Sequence, residues 1–118
     1  VSDISQTRLQ GLEGEYSDKT RNWAHFPTPV PYTFAEETDR IHLQPSPQVS
    51  IIEAPSRTEV HSQGHDSIVV WNPWTGCATQ FSDMDAEGYR HMLCVETALT
   101  RGVELAPGAR HLLRQEIG

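Results

Sequence analysis

Hydrophobic positions in this chain come in short runs, separated by proline, glycine and polar residues at intervals of roughly ten residues. Apolar alternation and β-branched residues predict strands over Thr7–Leu12, Arg40–Leu43, Gln48–Ala54, Arg57–Gln63 and Ser67–Asn72. The Pro27–Pro31 segment predicts an extended connector, because proline cannot donate a ladder hydrogen bond. Short strands at this spacing are typical of an all-β antiparallel sandwich or barrel.

The last third of the chain fits two interpretations. Tyr89 to Ala98 matches a helical stripe and also a buried strand, and periodicity does not decide for so short an apolar run. Ala106-Pro107-Gly108 predicts a turn. The segment from Arg110 to Ile117 that follows is either a final strand or a short helix.

Length and charge narrow the class of protein. The chain has 118 residues, which suits one domain, and 16 acidic against 9 basic residues give a net charge of -7. No apolar run approaches the ~20 residues that cross a bilayer, and an acidic surface argues against nucleic acid as a partner. Two cysteines exclude a disulfide scaffold, so we expect free thiols and a cytoplasmic location. The hydrophobic content of 36% is low for a domain that stands alone, which indicates part of something larger.

Two histidines have the spacing of metal ligands. His61 and His65, followed by Asp66, would converge on a metal ion if they lay on a helix. Gly64 interrupts the segment, and its surroundings favour strand and turn. We therefore interpret both as solvent-exposed turn histidines and predict no metal site.

Glu96 is an acid in an otherwise apolar segment, Leu93 to Ala98. If the segment is a strand, Met92, Cys94 and Glu96 share one face. Apolar surroundings raise the pKa of a carboxyl group, which suits proton transfer. The alternatives are a charge on an edge strand or a buried acid paired with an arginine.

Trp71-Asn-Pro-Trp74 forms a rigid aromatic corner. Aromatic faces stack on sugar rings, so the corner is compatible with a carbohydrate site. The alternative is core packing at the end of a strand.

Eight short motifs follow one another along the chain. They are Leu9-Gln-Gly-Leu12, Tyr16-Ser-Asp-Lys19, Glu37-Thr-Asp39, Val69-Val-Trp-Asn-Pro-Trp74, Ser82-Asp-Met84, Gly88-Tyr89, Met92-Leu-Cys-Val-Glu-Thr-Ala98 and Leu105-Ala-Pro-Gly108. The ordered set resembles the C-terminal part of the glucose-6-phosphate 1-epimerases, the hexose-6-phosphate mutarotases of the aldose 1-epimerase superfamily.

The resemblance implies an all-β fold, the antiparallel β-supersandwich of the galactose mutarotase type. It implies strands over both ambiguous segments, Tyr89–Ala98 and Arg110–Ile117. It also implies that residues 1–118 are the C-terminal part of a single mutarotase-like domain whose N-terminal part is absent. That missing part becomes an expected partner, and the isolated chain is expected to self-associate and to be inactive.

The resemblance further implies interconversion of the α and β anomers of a hexose 6-phosphate, without a cofactor. The catalytic base falls on Glu96, and the aspartate that holds the sugar hydroxyls falls on Asp39. Trp71 of the aromatic corner is a further candidate for substrate binding. The acid is a histidine of a His-Thr-Tyr-Phe motif that would precede Val1, and none of the six histidines present has that context. The alternative function is a non-catalytic module that binds carbohydrate or a protein partner.

Overall fold

The computed structural model describes residues 1–74, 88–100 and 112–118. Cys77, Ser82-Asp-Met84, the Ala106–Gly108 turn and the beginning of the Arg110–Ile117 segment lie outside the described residues.

Within the described ranges the chain forms ten strands and three short 3-10 helices. The strands are β1 Arg8–Gln10, β2 Glu15–Asp18, β3 Ala24–Pro27, β4 Tyr32–Thr33, β5 Thr38–His42, β6 Gln48–Glu53, β7 Ser56–Gln63, β8 Ser67–Asn72, β9 Cys94–Ala98 and β10 Arg114–Ile117. The 3-10 helices are η1 Ile4–Gln6, η2 Lys19–Arg21 and η3 Gly88–His91. No helix in these ranges has the length and apolar character needed to cross a bilayer.

The strands form two antiparallel sheets of five strands each. Sheet A has the order β10-β7-β6-β1-β4, and sheet B has the order β3-β2-β5-β8-β9. Both sheets bury one face in a shared apolar core, which includes Leu9, Val49, Val60, Ile68, Val70 and Val95. The alternation of buried and exposed positions along the strands follows from the two-residue period of a pleated strand. The predicted all-β antiparallel fold is confirmed.

Most predicted strands are present within one or two residues of the expected bounds, and Ser67–Asn72 is a strand over its whole length. Sequence patterns missed β2, β3 and β4. The strand β3 ends at Pro27 and is an edge strand of sheet B. Proline has no backbone N–H, which is tolerated at an edge because no further strand is there to accept a hydrogen bond from it. The expected extended connector therefore begins after Pro27.

The ambiguous third of the chain contains two strands and a 3-10 helix. Cys94–Ala98 and Arg114–Ile117 are strands, as the resemblance implied. The prediction of a strand beginning at Tyr89 is wrong, because Gly88–His91 is a 3-10 helix. The physical reason is the buried Asn72 amide, which donates 2.8 Å hydrogen bonds to the carbonyls of Tyr89 and Met92 and so holds the chain in a turn.

Candidate active site

Asp39, Trp71 and Glu96 lie on the same face of sheet B. Trp71 on β8 pairs with Asp39 on β5 on one side and with Cys94 on β9 on the other. Residues that pair directly across a sheet share a face, and Glu96, two residues beyond Cys94, lies on that face too. The register therefore brings together the three site residues predicted from the sequence. We call this surface the outward face of sheet B.

The spacing between the two carboxylates is set by the sheet. Asp39 and Glu96 are separated by two strand spacings across the sheet and two residues along it, which places their Cα atoms about 12 Å apart. The Trp71 position lies between them, next to Asp39. Side chains from both sides can therefore reach a sugar ring that lies over Trp71.

Asp39 is the more enclosed of the two carboxylates. Its side chain is 22% exposed, and Lys19 Nζ lies 3.8 Å from its Oδ2 atom. Burial raises the pKa of the Asp39 carboxyl above its ordinary value. Lys19 opposes this rise, whereas the charges of Glu37 and Asp18 add to it.

Glu96 is exposed, and the burial expected from its apolar neighbours is not found. The neighbours belong to the other face, because alternation along β9 turns Val95 into the core and Glu96 outward. The Glu96 carboxylate lies on the same face of β9 as Cys94 and is close enough to influence the pKa of the Cys94 thiol. Burial raises the pKa of the Cys94 thiol, and the charge of Glu96 raises it further.

The aromatic corner divides between the site and the core. Trp71 lies on the outward face of sheet B and is half-buried. Trp74 packs on buried Tyr89 with ring centroids 4.9 Å apart and joins the core. The Asn72 side chain fixes the corner, since its Oδ1 accepts a 2.8 Å hydrogen bond from the Trp74 backbone. Core packing is confirmed for Trp74, whereas a role of Trp71 in carbohydrate binding stays a prediction.

The two paired histidines lie in different surroundings. His61 is exposed in the middle of β7, so its assignment to a turn is wrong. A ring nitrogen of His65, Nε2, lies 2.9 Å from the Ser46 carbonyl oxygen. The described parts of the chain contain no cluster of three histidine, cysteine or acidic residues placed to hold a metal ion.

Two other histidines are placed relative to Glu96 by the strand register. His25 on β3 shares the outward face of sheet B, but four strand spacings separate it from Glu96, or about 19 Å. His42 faces the opposite way and is fully buried. Neither is placed to exchange a proton with a substrate held at Glu96.

A buried polar cluster lies directly behind the outward face. Arg40 alternates with Asp39 along β5, and its guanidinium lies 4.5 Å from the Tyr16 ring centroid and 5.3 Å from that of Tyr32. His42 Nε2 lies 2.7 Å from the Tyr32 hydroxyl oxygen, which joins sheet B to sheet A. Burial, helped by the charge of Arg40, lowers the pKa of His42 to about 4. Burial also raises the pKa of Tyr32 to about 12.

The pattern of hydrophobic positions does not indicate the residues of this cluster or Lys19 as part of a site. The Tyr16-Ser-Asp-Lys19 motif contained a signal, because Lys19 is the one lysine of the chain. The inward direction of Arg40 had no signal in the sequence, since arginine is rarely buried.

The family model for aldose 1-epimerases matches residues 1–118. The chain belongs to the aldose 1-epimerase family. A Cenchrus ciliaris protein named "Putative glucose-6-phosphate 1-epimerase" is 34% identical over 113 residues, covering 92% of this chain and 34% of its own length. An Escherichia coli protein of the same name is 31% identical over 102 residues, with 83% and 34% covered. The chain thus spans about a third of the length of the curated relatives it matches.

Two solved structures share the fold. A Salmonella typhimurium protein described as a "putative mutarotase" superposes with a TM-score of 0.78 at 31% identity, over 85% of this chain and 35% of that one. The structure of HI1317 also gives a TM-score of 0.78, at 26% identity, over 99% of this chain and 41% of that one. The two packed antiparallel sheets are therefore those of a galactose mutarotase-like β-sandwich.

Proposed function

We propose that this chain forms part of a hexose-6-phosphate mutarotase, which interconverts the α and β anomers of glucose 6-phosphate. The observation that carries the proposal is the placement of Asp39, Trp71 and Glu96 on one face of sheet B in a member of the aldose 1-epimerase family. The names of the curated relatives support glucose 6-phosphate as the substrate.

In this proposal Glu96 is the general base. Its exposed carboxylate takes the proton of the C1 hydroxyl while an acid protonates the ring oxygen, so the C1–O5 bond breaks and the open-chain aldehyde forms. Rotation about C1–C2 presents the other face of the aldehyde. The O5 hydroxyl then returns its proton to the acid and attacks C1, and the new C1 oxygen takes its proton back from Glu96.

The acid is proposed to be a histidine outside this chain. His25 and His42 are not placed for this step, as their register positions show. A histidine from the region that corresponds to the other two thirds of the relatives' length would supply the proton. The cations that bind the 6-phosphate are proposed to lie mostly there as well, because this chain carries a net charge of -7.

Asp39 and Trp71 are proposed to bind the sugar. The Asp39 carboxylate accepts hydrogen bonds from ring hydroxyls, and Trp71, directly opposite, offers an aromatic face to the ring. Together they would hold C1 near Glu96, since orientation of the reacting group lowers the barrier to proton transfer.

The test is an anomerisation assay on the full-length natural protein. Freshly dissolved α-glucose 6-phosphate is mixed with the protein and with a dehydrogenase specific for the β anomer. The proposal requires formation of the β anomer well above the buffer-catalysed rate. Binding of the sugar phosphate without faster anomerisation would support the alternative, a carbohydrate-binding module.

The cytoplasmic location of the protein remains a prediction.

A further inference from the structure

Lys19 Nζ lies 3.8 Å from Asp39 Oδ2. Asp39 lies opposite Trp71 in the proposed sugar site. We infer that Lys19 is a positioning residue, which holds the Asp39 carboxylate in a fixed direction toward the sugar. This inference rests on the proposed function and adds a residue to its binding site.

The turn that carries Lys19 is held in place by its own hydrogen bonds. Asp18 caps the η2 helix, because its Oδ1 atom accepts hydrogen bonds from the Thr20 amide at 2.9 Å and from the Thr20 hydroxyl at 2.6 Å. The backbone N–H of Trp23 closes the turn onto the Asp18 carbonyl at 2.8 Å. Lys19 therefore starts from a fixed backbone position beside the beginning of β5.

The surroundings of Asp39 favour a cation beside its carboxyl group. Burial, Glu37 and Asp18 each favour the protonated form of the carboxyl, and Glu96 adds a further negative charge to the same face. A carboxylate must be ionised to accept hydrogen bonds with both oxygens from sugar hydroxyls. Lys19 supplies the opposing charge from the solvent side.

The neighbouring cations of the same region are committed elsewhere. Arg40, next to Asp39 in sequence, faces the core, where its Nε atom lies 3.9 Å from Asp18. Arg21 donates a 2.9 Å hydrogen bond to Glu36. The residue that pairs with Asp39 across the sheet, Trp71 on β8, has no charge to offer the carboxylate.

These contacts define a matched pair of variants in the full-length natural protein. Lys19→Gln and Arg21→Gln remove the same charge from the same turn, and both side chains are more than half exposed. We expect Lys19→Gln to lower kcat/KM for glucose 6-phosphate about three- to fivefold, mainly through KM, as the loss of a partly exposed charge pair predicts. Arg21→Gln should leave both constants unchanged, and Lys19→Arg should restore most of the loss. The melting temperature should stay constant, because exposed ion pairs contribute little to stability.

A double-mutant cycle separates this role from direct contact with the substrate. If Lys19 acts through Asp39, Lys19→Gln has no further effect in a protein that already carries Asp39→Asn. Additive losses in the double variant would overturn the inference, because Lys19 would then act independently of Asp39.

A titration distinguishes failure of the inference from failure of the proposed function. The Asp39 carboxyl is followed by ¹³C NMR in the wild-type protein and in both glutamine variants. Lys19→Gln should raise its pKa and Arg21→Gln should not, whether or not the protein anomerises sugars. An unchanged Asp39 pKa in Lys19→Gln would refute the inference even if wild-type activity were demonstrated. Absence of anomerisation with the expected pKa change would refute only the proposed function.

Discussion

Asp39 and Trp71 lie directly opposite each other on neighbouring strands of sheet B. Their Cβ atoms are therefore about 5 Å apart, close enough for a carboxylate and an indole to contact one sugar ring. A slip of one residue in either strand would turn its side chain into the core, where Arg40 and Val70 now lie. The strand register, and not the proximity of residues in the sequence, forms the candidate site.

Glu96→Gln should abolish most of the anomerisation activity in the full-length natural protein. The amide keeps the size of the side chain but cannot accept a proton from the C1 hydroxyl. A general base contributes about 10²-fold or more, so we expect at least that loss in kcat with little change in KM. Because Glu96 is exposed, the variant should fold and melt like the wild type.

Glu13→Gln is a suitable control for Glu96→Gln. Glu13 is also exposed and lies between β1 and β2, so the substitution removes the same charge away from the outward face of sheet B. It should retain full activity. If Glu96→Gln lost less than about tenfold, Glu96 would not be the base.

Asp39→Ala should raise KM for glucose 6-phosphate and lower kcat, since it removes hydrogen bonds to the sugar and loosens its orientation. Initial rates over a range of substrate concentrations separate the two effects. Glu36→Ala is the control, because Glu36 is an exposed neighbour that pairs with Arg21 and not with Lys19. Equal kinetics in both variants would identify Asp39 as an ordinary surface carboxylate.

Trp71→Ala should raise KM, and Trp71→Phe should restore most of the affinity, because phenylalanine keeps an aromatic face. Quenching of tryptophan fluorescence by glucose 6-phosphate provides an independent measurement and should disappear largely in both variants. If Phe and Ala behaved alike, the role of Trp71 would not be stacking.

The sequence predicted those parts of the structure that follow from hydrophobic pattern. Ser67–Asn72 is rich in β-branched residues and was placed over its whole length, and the period of two placed Cys94 and Glu96 on one face. The strand β2 was missed because Tyr16 is its one apolar residue, and its other buried positions are Ser17 and Asp18. These two polar side chains are buried because they form hydrogen bonds. A pattern of hydrophobic positions does not detect strands that bury polar residues.

The errors at Tyr89 and Glu96 have a common cause. At Tyr89 the local pattern fitted a strand, but a buried amide distant in sequence, that of Asn72, holds the backbone in a turn. At Glu96 the apolar neighbours indicated burial, but they point to the other face of the sheet, and the alternative of an exposed charge on an edge strand describes its surroundings. In both cases tertiary contacts decided a property that adjacent residues suggested otherwise.

The stability of the protein should fall as the pH decreases from 6.5 toward 4, and His42 should account for much of the decrease. The buried His42 stays neutral to a pKa of about 4, whereas in the unfolded chain it binds a proton near its ordinary value of 6.5. The unfolded state therefore binds more protons in this window, which lowers the free energy of unfolding by at most about 3 kcal/mol. Burial, and after it the charge of the Arg40 guanidinium, disfavours a charge on the ring.

Urea unfolding at several pH values measures this dependence. His42→Phe is expected to be less stable at neutral pH but to show a flatter slope between pH 6.5 and 4, because the titrating ring is gone. His61→Phe removes an exposed histidine and should keep the wild-type slope. An unchanged slope in His42→Phe would show that other groups carry the pH dependence.

The isolated 118-residue chain should self-associate and show only buffer-catalysed anomerisation. The strand β10 is an edge of sheet A, and Ile117 on it is 65% exposed, with the exposed Leu112 and Leu113 shortly before it. Unpaired edges with apolar side chains recruit other strands, and a charge placed on the edge blocks this. Ile117→Lys should therefore reduce the mass measured by light scattering, whereas Ile117→Leu, which keeps an apolar side chain at the same exposed position, should leave it unchanged. Neither variant should gain activity, because the proposed acid lies outside the chain. A monodisperse wild-type monomer that anomerises glucose 6-phosphate above background would contradict both expectations, and would require one of the six histidines present to act as the acid.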